Sequence, residues 1–238
     1  MSILAAIIEV TLRGLLGRRR TILLVLLAGL PVLIALLIRA SGGRPDADRV
    51  LDTLVVRLVM PLTALILGTS SLGAEIDDGT AVYLMVKPIA RWRIALAKML
   101  VAAGLTAVLV VPSVVLTALL LGTGAHAMTS VVGFAIACLV GGSAYAAAFM
   151  ALSVYTSRAF LLGLAYVLIW EGVLAGLLEG TRFMSVRQAT LGLADALGVN
   201  IAKPLAPTVS VLVVVVVIAG GFLLASWKLA RFEVRGGD

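Results

Sequence analysis

The sequence predicts an all-α polytopic membrane protein: six transmembrane helices, preceded by an amphipathic helix on the membrane surface. Three observations predict it. First, the 238 residues are 62% hydrophobic and 13% charged, with a mean hydropathy of +1.17; a soluble domain carries about a quarter charged residues. Second, the apolar residues fall in continuous runs of span length, about 20 residues for a hydrocarbon layer of about 30 Å. Third, those runs do not alternate, which excludes a β-barrel. Even the strand-prone run Val213–Val217 reads as helix, because a lone strand would leave its backbone groups unpaired in lipid. Residues 1–238 therefore form one transmembrane domain, with little left over for a soluble one.

Residues 2–20 carry Ile3, Leu4, Ile7, Ile8, Leu12, Leu15 and Leu16 at helical spacing, with Glu9, Arg13 and Arg20 on another face. This pattern predicts a helix lying on the cytoplasmic surface. A signal peptide is disfavoured, because the following apolar run is 18 residues long and Arg39 sits where small cleavage-site residues should begin. The expected spans are about 21–38, 54–72, 99–121, 131–155, 159–178 and 209–227. Residues 99–157 contain no charge, and the Gly- and His-bearing stretch 122–130 divides them into two helices. Arg57 lies near the outer end of span two, where snorkelling to the interface accounts for it.

The formal charge is +7. Basic residues flanking hydrophobic spans account for it without nucleic acid as a partner. Six spans put both termini on one side. Twelve of the 19 Lys and Arg then fall on that side and seven on the other, so both termini are expected in the cytoplasm, with the protein in the cell (inner) membrane. The single cysteine, Cys138, excludes an intrachain disulfide. His126 has no His, Asp, Glu or Cys within ten residues, so no metal site is expected.

Catalytic chemistry is not legible. No Gly-rich loop ends in Gly-Lys-Ser/Thr, so the chain itself is expected neither to hydrolyse ATP nor to hold a cofactor. Asp77-Asp78-Gly79-Thr80-Ala81 faintly resembles the aspartate motif of membrane phosphotransferases acting on CDP-alcohols, but Val82 stands where that motif needs arginine, and no further aspartate occurs before Asp195. Ser143 and Ser153 have no base partner in view. No catalytic residue is assigned.

The informative stretch is 73–98. It begins acidic at Glu75, Asp77 and Asp78 and turns at Gly79. It then runs through an apolar patch, Val82, Tyr83, Leu84, Met85 and Val86, ends at Pro88, and becomes basic at Arg91, Arg93 and Lys98. An apolar turn held in the cytosol by charged flanks either docks into a partner groove or lies against lipid headgroups; the residues alone leave both open.

The order of Glu75, Gly79-Thr80, Leu84, Lys87-Pro88-Ile89, Arg91 and Lys98 resembles the permease subunits of type-2 ATP-binding-cassette (ABC) exporters. So does the layout: a surface helix before span one, this segment between spans two and three, and a longer outer segment between spans five and six. The acidic pair Asp77-Asp78 before Gly-Thr departs from the pattern. The resemblance implies a permease that binds a separate cytosolic ABC ATPase, which would supply ATP and Mg, and a second permease chain, as homo- or heterodimer. It implies a cytoplasmic coupling helix within 73–98, with Glu75, Gly79, Thr80, Tyr83, Leu84, Pro88 and Arg91 in contact with the ATPase. It also implies that spans two and five line the substrate path, and that 179–208 dips back into the membrane. Phe183, Met184, Val186, Leu191, Leu193 and Leu197 suit such a half-buried hairpin.

Glu171 lies about twelve residues into span five. An intramembrane carboxylate costs a few kcal/mol unless it meets protein or water, so it is either path-lining or hydrogen-bonded to a neighbouring helix. Gly172, Gly176 and Gly180 are spaced for close helix contact. The alternative function class is a membrane scaffold or channel-like protein without an ATPase; an ABC ATPase encoded alongside would discriminate the two.

Overall fold

The computed structural model describes residues 8–9, 11–12, 14–15, 17–43, 46–77, 90–122, 124–174 and 179–231. Its regular elements, in chain order, are α1 (Arg18–Ala40), α2 (Ala47–Val50), the π-helical α3 (Leu51–Val59), α4 (Met60–Asp77), α5 (Arg91–Leu121) and α6 (Gly124–Tyr155). They continue with α7 (Ala159–Ala165), the π-helical α8 (Tyr166–Leu174), the 3-10 turn α9 (Glu179–Met184), α10 (Val186–Ala196) and α11 (Pro207–Ala230). Among the described residues there is no strand.

Among the described residues, five stretches are long and apolar enough to cross a membrane: Arg19–Ala40, Ala47–Gly73, Arg91–Leu121, Ala127–Tyr155 and Pro207–Ala230. They correspond to the expected spans one, two, three, four and six, mostly with longer ends. For the expected span five, the described residues show an apolar helix over Ala159–Val173; residues 175–178 of that span lie outside the described residues. Arg18, Arg19 and Arg20, read as the close of the surface segment, are instead the first turn of α1. Cations oppose the helix dipole there by about 0.3–1 kcal/mol each, and attraction to anionic headgroups, about 1 kcal/mol per charge, offsets it. Upstream, Thr11 and Leu15 are buried, and Ile8 and Leu12 pack with Leu24, Leu67 and Val101.

α6 is the centre of the bundle, contacted by α4, α5, α7, α10 and α11. Small residues let these helices approach. A Cβ at Gly68 would lie 3.0 Å from the Ala146 carbonyl oxygen, and one at Gly221 would lie 2.7 Å from that of Ala147. The main core joins Val55, Val59 and Leu65 to Phe134, Tyr145 and Phe149, and continues to Val186, Leu191 and Val214. Tyr145 stacks on Phe149 at 5.7 Å, and Tyr166 meets Phe149 edge-on at 6.4 Å. The outer faces of α1 and α11 expose aliphatic rows, with Leu37 70% exposed. In a membrane that face meets acyl chains and costs nothing to leave uncovered.

Candidate functional site

The first cluster is built where α8 meets α10. Glu171 is 2% exposed. Its carboxylate accepts from the Tyr166 hydroxyl at 2.9 Å, the Ser185 hydroxyl at 2.5 Å and the Val186 backbone N–H at 3.0 Å. Ser185 is the N-cap of α10 and also accepts the Gln188 N–H at 3.1 Å. The carboxylate thus sits on the positive end of α10 and satisfies one of its orphan donors. Nothing in the sequence spacing points to Ser185 or Val186; the Ser-x-x-Gln pattern, a capping signature, was the available signal.

The neighbouring contacts tie the same region together. Arg57, in the π-turn of α3, donates to the Gly172 carbonyl at 2.6 Å. Its guanidinium is therefore committed to α8, beyond the snorkelling expected of it. Asp52, one turn earlier, pairs with Arg187 of α10 at 2.9 and 3.1 Å. Ser130 of α6 donates to Asp48, and Arg39 donates to the Leu120 carbonyl at 2.7 Å, near the C-terminus of α5. Arg182 donates to Gln188 at 3.2 Å and to the Lys203 carbonyl. The segment 179–208 is thereby fastened onto the bundle. Within it Val186 and Leu191 are buried, Leu193 is half-buried, and Phe183, Met184 and Leu197 are exposed.

Of the glycine ladder expected in span five, Gly172 makes no close contact within this chain. A Cβ at Gly172 would meet only the Val167 carbonyl, at an ordinary 3.5 Å. Gly176 lies outside the described residues, and Gly180 falls in α9. The close approaches are elsewhere: a Cβ at Gly141 would lie 2.1 Å from Thr190 Oγ1, and one at Gly192 would lie 2.2 Å from Ser210 Oγ.

At the opposite end, Lys98 of α5 is 1% exposed and its ammonium donates to the Ser71 carbonyl of α4 at 2.7 Å. This tie joins the two helices that flank residues 78–90. Arg93 lies over Trp92 at 5.3 Å, Lys228 over Tyr155 at 5.5 Å and Arg231 over Trp227 at 3.9 Å, the cation–aromatic dressing of a membrane interface. Of the residues expected to contact the ATPase, Arg91 is the first residue of α5 and Glu75 lies in the last turn of α4. Gly79, Thr80, Tyr83, Leu84 and Pro88 lie outside the described residues. Among the described residues, no three His, Cys, Asp or Glu side chains are grouped to hold a metal.

A family model described as "ABC-2 family transporter protein" matches residues 16–169, about two thirds of the chain. The chain belongs to the ABC-2 transporter family. As an ABC-2 protein it is an integral membrane permease component of an ABC transporter, not the ATPase, and the family implies an ATPase partner in general. No curated protein matches it. The match takes in α1–α7 and part of α8, including Arg57, Lys98 and the whole segment 73–98, and stops two residues before Glu171.

Proposed function

We propose that this chain is the membrane half of an ABC exporter. It pairs with a second permease chain, forms the substrate path with spans two and five, and binds a separate cytosolic ATPase that holds ATP and Mg. It lies in the cell (inner) membrane with both termini cytoplasmic. Residues 73–98 carry the coupling helix, with Glu75, Gly79, Thr80, Tyr83, Leu84, Pro88 and Arg91 against the ATPase. The observation that supports this reading is that the segment bearing the exporter-like pattern falls inside the matched residues 16–169 and joins two helices tied by Lys98 and Ser71. Glu171 is a structural pin of the outer segment, because three protein donors already occupy its oxygens.

The test is a charge placed in the apolar patch. Tyr83→Asp or Leu84→Asp would put a carboxylate into the docking groove, where leaving it unpaired costs several kcal/mol. Each 1.4 kcal/mol is tenfold in affinity, so the ATPase should no longer co-purify with the mutant permease. Thr181→Asp, in the outer segment, should leave co-purification intact. Full retention of the ATPase, with unimpaired substrate-stimulated hydrolysis in both patch variants, would place coupling elsewhere.

A further inference from the structure

At the end of the bundle away from Lys98, a half-open cleft of about 400 Å³ lies between the start of α2–α3, α10 and the loop after it. Asp46, Asp48, Arg49, Asp52, Arg182 and Arg187 line it, with Leu191, Ile201 and Ala202 as an apolar wall. The charges balance, three against three, so a plain anion meets the aspartates and a plain cation meets the arginines. Some of these groups are already used: Asp52 holds Arg187, Asp48 accepts from Ser130, and Arg182 donates to Gln188. Others have capacity left. Arg49 is exposed and makes no hydrogen bond or ion pair among the described residues. Among the described residues, the Asp46 carboxylate accepts only its own turn's Asp48 N–H, at 3.1 Å. The Arg187 Nε is buried without a hydrogen-bond partner among the described residues, on a side chain only 12% exposed.

We infer that this cleft binds the zwitterionic headgroup of a phosphatidylethanolamine lipid, with the phosphate toward Arg49 and Arg187 and the primary ammonium toward Asp46 and Asp48. The level of the cleft carries the choice of a lipid over a soluble zwitterion. Ala47–Gly73 is one apolar membrane-crossing stretch, so residues 46–52 stand where the hydrocarbon layer ends. The ammonium matters because it offers three N–H donors to carboxylates; a trimethylammonium offers none, and a glycerol headgroup has no cation. The inference stands independently of the ATPase partner and of which leaflet this end occupies.

The experiment uses the full chain purified in detergent and titrated with phosphatidylethanolamine, phosphatidylcholine and phosphatidylglycerol of identical acyl chains, with binding followed by native mass spectrometry. Phosphatidylethanolamine should bind about tenfold more tightly than the other two, the worth of one or two charge-assisted hydrogen bonds. Arg49→Gln and Asp46→Asn should each erase that preference. Asn is as good an N-cap as Asp, so the second variant keeps α2 and removes only the charge. Three lipids bound equally, or a preference intact in both variants, would overturn the assignment. Soluble phosphoethanolamine or inorganic phosphate binding as tightly as the lipid would also overturn it, making the occupant a free anion or zwitterion.

Discussion

The Glu171 carboxylate closes the N-terminus of α10 through the Val186 backbone N–H, 3.0 Å away. The two residues come from different helices, α8 and α10, so the bond fixes how the outer segment rests on the bundle. Glu171→Ala removes the acceptors of three donors and leaves them buried; a loss of about 3 kcal/mol in stability is expected, from hydrogen bonds to a charged group. Glu171→Gln keeps one oxygen for Val186 and Tyr166 and should cost about 1 kcal/mol. Unfolding of the purified protein by denaturant measures both. Transport per folded molecule should be unchanged in the Gln variant. A large transport loss with unaltered stability would make this residue path-lining.

Arg187 and Asp52 join the same outer segment to α3 at 2.9 Å, with side chains 12% and 28% exposed. The pair is too buried to be screened like a surface salt bridge and too open to carry a full desolvation cost. A double-mutant cycle with Arg187→Ala and Asp52→Ala should give a coupling of about 1 kcal/mol. Additive single effects would mean that the two charges are held apart in solution.

How far these contacts were legible depends on the kind of interaction. Span positions follow from apolar runs, because lipid demands about 20 such residues whatever the tertiary packing. That is why α1, α5, α6 and α11 fall near their expected places. Within span five the helix turns π-helical at Tyr166, a change that hydropathy does not report. Glu171 stands out in the sequence through its cost in lipid, but two of its three partners are 14 and 15 residues further on, and no spacing rule reaches them. A four-residue glycine repeat marks a smooth stripe, yet which stripe meets a neighbour is set by the tertiary arrangement, and here Gly141 and Gly192 lie in the close contacts while Gly172 does not.

Gly141 is therefore a sharper target than the ladder. A Cβ there would lie 2.1 Å from Thr190 Oγ1, and that hydroxyl is held by the Val186 carbonyl at 2.8 Å. Gly141→Ala should push α10 from α6 and cost about 1–3 kcal/mol, the usual range for overpacking. Adding Thr190→Ala should restore part of the loss. A neutral Gly141→Ala, read by thermal unfolding, would mean that α10 does not rest on α6 at this point.

Orientation is checked by labelling. In a Cys138→Ala background, Ser41→Cys stands just past the C-terminus of α1, where Ser41 is exposed, and Ser2→Cys stands before the arginine cluster. An impermeant thiol reagent added to intact cells should label the first and spare the second, as the greater number of basic residues on the side of the termini requires. Labelling of Ser2→Cys alone would reverse the topology.

Lys98 and Ser71 give the last expectation. The Lys98 ammonium is buried and donates to the Ser71 carbonyl across the base of the segment that joins α4 to α5. A push delivered to residues 78–90 reaches the spans only if the two flanking helices move as one body, and this charge-assisted bond, about 1.5–3 kcal/mol in strength, holds them together. Lys98→Met keeps much of the side chain's length and removes the charge. Association with the ATPase should be unaltered, because the proposed docking patch is untouched. Substrate-stimulated hydrolysis should fall about tenfold, the equivalent of 1.4 kcal/mol of lost coupling. This pattern separates transmission from docking: Tyr83→Asp loses the ATPase, whereas Lys98→Met keeps it and loses the response. Undiminished stimulation in Lys98→Met would show that α4 and α5 transmit the push without this tie.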